Sequence, residues 1–178
     1  MKSLQLLPIG APHQLLLEWL RSELGTAFQM PCEIIGPPVQ PNFCFHPERQ
    51  QYHSSELLAQ MRQYVTKNTW RILGVTPVDL YIPILTFVFG EAEVGGKCSA
   101  VSYHRLAQEF YGLPADMDLL SRRLLTESVH ELGHTMELSH CGDYECVMSS
   151  SHSVEWIDIK GYMFCGECAE RARPQLRL

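Results

Sequence analysis

Long apolar runs are missing from this chain. No stretch of about eighteen consecutive apolar residues occurs anywhere in its 178 residues, so no segment reads as a helix that crosses a membrane. Positive charge is also scarce: lysine and arginine number 14 against 20 aspartates and glutamates, a formal net charge of -6. Phosphate contacts need a basic patch, so nucleic acid is not expected as a partner. Arg171, Arg173 and Arg177 gather late in the chain, and three such charges read as a solvated tail. A secretory leader is not evident either. Met1 to Leu20 is apolar, but Pro8, His13 and Glu18 interrupt it and no small-residue cleavage site follows, so it is expected to fold. Internal repeats and low-complexity segments are absent. The length suits one domain with a sizeable core.

What the chain does have is histidine and cysteine at metal-ligand spacing. His130-Glu131-Leu132-Gly133-His134 has the His-Glu-x-x-His pattern of zinc hydrolases. On a helix, residues four apart share one face, so both imidazoles can grip one ion while Glu131 is left to take a proton from a water. His140 follows six residues later and completes the three protein ligands typical of a catalytic zinc. Cys141 and Cys146 flank four residues, and Cys165-Gly166-Glu167-Cys168 lies further on. Paired cysteines at this spacing are the signature of a second, structural zinc. Seven cysteines, four of them so spaced, suit a reducing compartment, and the cytoplasm is the simplest expectation.

The segment from His130 to Cys168 resembles the archaemetzincin signature: His-Glu-x-x-His-x-x-Gly-x-x-His-Cys, four residues, Cys-x-Met, a spacer, then Cys-x-x-Cys. Here it reads HELGHTMELSHC, GDYE, CVM, sixteen residues and CGEC. Two positions depart from the pattern: residue 137 is Glu in place of Gly, and the spacer after Met148 is one residue short. The resemblance implies a metzincin-like zincin fold of α/β (α+β) class, with a twisted mixed sheet over helices. It divides the chain into an N-terminal subdomain, 1–134, which carries the active-site helix, and a zinc-stabilised C-terminal subdomain, 135–178. It further implies a zinc-dependent peptidase acting on peptide or protein, with His130, His134 and His140 on a catalytic zinc, Glu131 as general base and Met148 in a turn beneath the metal. Cys141, Cys146, Cys165 and Cys168 would hold the structural zinc. The alternative is a metzincin scaffold that binds zinc and peptide without turnover.

Along the rest of the chain, Ser3 to Ile9 reads as a first strand. Leu15, Leu16, Trp19, Leu20 and Leu24 keep helical spacing up to Gly25. Phe28 to Ile35 is expected to be a strand, and Ser54 to Thr66 a helix capped by Ser54 or Ser55. Val78 to Phe89, apolar and rich in Ile, Val, Tyr and Phe, reads as a central buried strand despite Pro83. Cys98 to Tyr103 reads as an edge strand, and the resemblance implies that Lys97 to Ser102 pairs with an extended peptide. His104 is a structural histidine. Pro114 and Asp116 open a helix whose apolar stripe, Leu119 to Met136, runs through the metal motif. Glu137 either takes the sharp turn that glycine would take, at a cost in strain, or extends the helix and brings its carboxylate towards the metal.

Overall fold

The computed structural model describes residues 2–176; Arg177 of the basic tail lies outside them. The chain opens with β1, Ser3–Pro8, α1, Gln14–Phe28, and β2, Cys32–Ile34. Two short strands, β3 at Phe45–His46 and β4 at Gln51–His53, lead into α2, Ser54–Met61. Then come β5, Thr69–Thr76, β6, Leu80–Tyr81, β7, Gly90–Ala92, and β8, Cys98–Ser102. The last elements are α3, Met117–Thr135, α4, Val154–Ile159, and α5, Gly166–Leu176.

The main sheet has the order β2-β1-β5-β8-β7, parallel throughout except for β7, which runs antiparallel at the edge. A small second sheet joins β3, β4 and β6. Helices cover both faces of the main sheet. Leu4, Leu6, Leu73, Val75 and Val101 point towards α1 and α3, while Leu7, Ile9, Ile72, Cys98 and Ala100 meet Leu57, Leu58 and Met61 of α2. The α/β architecture with a mixed sheet matches the fold class read from the sequence.

Several elements differ from expectation. The central strand is β5, all eight of whose residues are buried. Val78 to Phe89 contributes only β6 to a sheet; its remainder is a loop with Ile84 86% and Leu85 50% exposed. Pro83 supplies no ladder N–H, and Arg49 holds the loop by donating to the carbonyls of Leu85 and Thr86. β8 is interior, flanked by β5 and β7, so Lys97 to Ser102 is not the free edge. That position belongs to β7. α1 runs past Gly25 to Phe28 and ends at Gln29 in the left-handed region, φ 51°, which leaves β2 shorter than the expected Phe28 to Ile35. Pro114 stands outside α3. Asp116 caps that helix, its carboxylate accepting from the Leu119 N–H at 2.9 Å. His53, not a serine, precedes α2; the Ser54 and Ser55 hydroxyls donate to the Glu91 carboxylate.

Candidate active site and metal centre

α3 delivers His130, Glu131 and His134 to the mouth of a cleft of about 530 Å³. Its buried stripe of Leu120, Leu124, Leu125, Val129 and Leu132 holds the helix against the core. The loop after the helix then returns His140, and one ring nitrogen from each of the three histidines falls within 4.8 Å of the others. Two hydrogen bonds fix which nitrogens face inward. His130 Nδ1 lies 2.7 Å from the Val147 carbonyl and His134 Nδ1 2.8 Å from that of Leu138. A carbonyl can only accept, so each Nδ1 carries the proton and each Nε2 offers its lone pair. Those two Nε2 atoms stand 3.1 Å apart. Two nitrogens on one tetrahedral zinc, each at about 2.0–2.1 Å, are separated by roughly 3.3 Å, so the donor set fits the ion. Burial, then the neighbouring Lys160 and His134, holds His130 well below its usual pKa, and burial likewise lowers His134 and His140. All three therefore favour the neutral form that binds metal.

Glu131 is buried beside them. Burial first, and the Glu127 carboxylate second, push its pKa well above the usual range, while Lys160 pulls the other way. Its place depends on Gly90 in β7. A Cβ there would lie 2.6 Å from Glu131 Cγ and 2.7 Å from the Ala100 carbonyl oxygen, closer than carbon atoms pack. Gly133, between the two α3 histidines, meets the same constraint from below: a Cβ would collide with Met148 Sδ. Met148 is fully buried, with its Sδ against Gly133 of the active-site helix.

The four cysteines cluster next to this site. One sulfur from each of Cys141, Cys146, Cys165 and Cys168 lies within 4.8 Å of the rest, and none is in a disulfide. Cys141 and Cys165 are 3.9 Å apart at sulfur, close to the roughly 3.8 Å expected for two thiolates each about 2.3 Å from a tetrahedral zinc. Backbone N–H groups point at the sulfurs: Asp143 at Cys141, and Met148 and Cys165 at Cys146. Cys165 sits at the start of α5, where the Cys168 N–H lowers its pKa as a helix N-terminus does. Cys32, Cys44 and Cys98 are distant from the cluster, with burial pushing their thiols up to about 12, 11 and 12; they are packing residues.

Glu137 does not line the cleft. α3 stops at Thr135, and Glu137 adopts φ 65°. Its N–H donates to the His134 carbonyl at 3.0 Å and that of Leu138 to the Gly133 carbonyl at 3.2 Å, the paired bonds that end many helices around a left-handed residue. The side chain lies over Gly95, within the field of Arg71. His104 is remote from the site, its Nδ1 3.1 Å from the Pro77 carbonyl.

Two residues at the centre gave no signal in the sequence. Gly90 looks like an ordinary loop glycine. Lys160, in the unremarkable run Ile157-Asp158-Ile159-Lys160, has its side chain 1% exposed and its Nζ 2.9 Å from Glu127 Oε1. Neither stands in a recognisable pattern.

With this geometry in place, comparison with known proteins gives a consistent result. The sequence pattern described as Peptidase family M54 matches residues 40–173. The archaemetzincin of Methanocaldococcus jannaschii is 38% identical over 94% of this chain and 91% of its own length. The crystal structure of the Archaeoglobus fulgidus archaemetzincin, complexed with malonate, superposes with a TM-score of 0.82 at 33% identity, covering 95% of this chain and 99% of that one. A zinc-dependent peptidase from Methanocorpusculum labreanum gives 0.86 at 31% identity, with coverage of 98% and 100%. The chain belongs to Peptidase family M54, the archaemetzincins, a family of zinc metallopeptidases.

Proposed function

We propose that the chain hydrolyses peptide bonds, with one zinc held by His130, His134 and His140 and a second by Cys141, Cys146, Cys165 and Cys168. The observation that carries this reading is the convergence of three imidazole nitrogens beside a buried carboxylate at the mouth of the cleft. Zinc in the histidine site would polarise the scissile carbonyl and make a water acidic at roughly pH 7. Glu131 is the general base. Burial and the Glu127 carboxylate raise its pKa, which strengthens it as a base that accepts a proton and later returns it to the departing amine. The cysteine site has no open position and serves structure.

Substrate is expected along β7. The Glu93 N–H donates to the Cys98 carbonyl at 2.9 Å and the Ser102 N–H to that of Phe89 at 2.7 Å, so Phe89, Glu91 and Glu93 face β8. By the alternation of an antiparallel ladder, the N–H and C=O of Gly90 and Ala92 turn outward. An extended peptide can pair there by strand addition. The apolar loop with Leu85 and Phe87 on one side and Val94 on the other borders that path, which supports side chains of the substrate being apolar near the cut. A Glu137 carboxylate beside the metal would argue for a scaffold without turnover, and the placement of that side chain outside the cleft favours the enzyme.

The test is digestion of a diverse peptide mixture by zinc-loaded protein beside identically prepared Glu131→Ala. Products confined to the unaltered chain support the peptidase, and their termini give the subsite preference. Metal-loaded protein that retains peptides without cutting them would favour the scaffold.

A further inference from the structure

Behind His130 lies a cluster of buried charges centred on Lys160 and Glu127. Lys160 follows α4 directly, and α4 is fastened to α3 by Arg123, which donates to both oxygens of Asp158 at 2.7 and 2.6 Å. From there the lysine runs inward. Its Nζ donates to the Ser149 carbonyl at 2.9 Å, lies 2.9 Å from Glu127 Oε1 and stands 3.3 Å from His130 Nδ1. Glu127 lines the cleft one helical turn before Glu131, and its Oε1 makes no hydrogen bond of good angle, so the pair is held by charge. An ammonium and a carboxylate withdrawn from water are costly, so removing one partner alone would leave an uncompensated buried charge.

We propose that Lys160 is a positioning residue for the zinc site: by joining Glu127 of α3 to the Ser149 carbonyl it holds the Val147 carbonyl against His130 Nδ1, and so keeps the Nε2 lone pair towards the metal. This inference rests on the reading of His130 as a zinc ligand. Two groups crowd His130 Nδ1, the Val147 carbonyl at 2.7 Å and the Lys160 ammonium at 3.3 Å. If the ammonium donated to Nδ1, the ring proton would sit on Nε2 and the metal would lose its ligand. Glu127 and Ser149 draw the ammonium aside, and the Val147 carbonyl keeps the proton on Nδ1. The same lysine ties α3 to Cys146–Ser149, the segment that supplies Val147. Lys160 thus holds in place the carbonyl that orients the ring, as partners behind metal-bound histidines commonly do.

The experiment compares zinc affinity at the histidine site in unaltered protein, Lys160→Met and Glu127→Gln/Lys160→Met, by competition with a chromophoric chelator. Zinc retained at the four cysteines reports that each variant is folded. The double variant removes both charges at similar volume, so it does not leave a buried carboxylate unpaired and recovers whatever stability the single variant loses. Histidine-site affinity is expected to fall roughly 10–100-fold in both variants, with an altered visible spectrum when cobalt replaces zinc there. Affinity and spectrum unchanged in the folded double variant would show that Lys160 is only the charge partner of Glu127 and would overturn the proposal. Unaltered protein that binds no more metal than His130→Ala/His134→Ala would overturn the reading of the site itself.

Discussion

A glutamate at residue 137 occupies a backbone conformation that glycine fills more cheaply. At φ 65° a side chain costs roughly 1–2 kcal/mol, and glycine would give back about 0.4–1 kcal/mol by loosening the unfolded chain. Glu137→Gly is therefore expected to stabilise the protein by about 0.5–1 kcal/mol and to leave peptide cleavage unchanged. Urea unfolding and a cleavage assay check both, and a loss of stability would show that the attraction to Arg71 outweighs the strain. The two clusters are legible because their residues stand at metal-ligand spacing: His130, His134 and His140, and the four cysteines, converge as their order in the chain implies. Gly90 and Lys160 are not legible. Their roles depend on what folding brings against them, a Glu131 side chain in one case and Glu127 in the other, and no local pattern records that.

At the scale of elements, α3 is the part most fully written in the sequence, since a helical apolar stripe and a metal motif share one stretch. Its weak point is Gly133. Alanine there gains up to about 1 kcal/mol of helix propensity but drives a methyl into Met148 Sδ, and overpacking of this kind costs about 1–3 kcal/mol. Gly133→Ala is expected to lose net stability by about 1 kcal/mol in thermal unfolding and to hold less zinc at the histidines; a variant as stable and as well loaded as the parent would show that Met148 can move aside. The strands were harder to read, for a related reason. β5 is buried on both faces and carries Arg71, whose guanidinium is satisfied by Thr135 and Gln175 far along the chain, so it shows no alternation of apolar and polar residues. The loop Ile82 to Phe89 is apolar because it borders the cleft, and composition does not separate a cleft rim from a core strand.

Across the whole molecule, the histidine and cysteine clusters share one short segment. Cys146 belongs to the cysteine cluster, the Val147 carbonyl orients His130, and the Met148 carbonyl accepts from the N–H of Cys141, the neighbour of His140. Disturbing the sulfur site should therefore reach the histidines. Cys165→Ser, which touches no histidine, is expected to lower zinc affinity at the histidine site by about tenfold or more, read by metal competition; unchanged affinity would show the sites to be independent. α5 closes the fold over β5, where Trp70 Nε1 donates to the Gln175 carbonyl at 3.0 Å. That C-terminal helix bears no long apolar stripe and could be read only through its cysteines. No helix among the described residues is long and apolar enough to cross a membrane.

The most direct test of Glu131 as the base of a zinc peptidase is kcat/KM of Glu131→Ala against the unaltered chain on one cleaved peptide, with zinc content matched. Removal of a general base is expected to lower the rate about 10²–10⁴-fold with zinc at the histidines retained. Equal rates at equal zinc content would contradict the assignment.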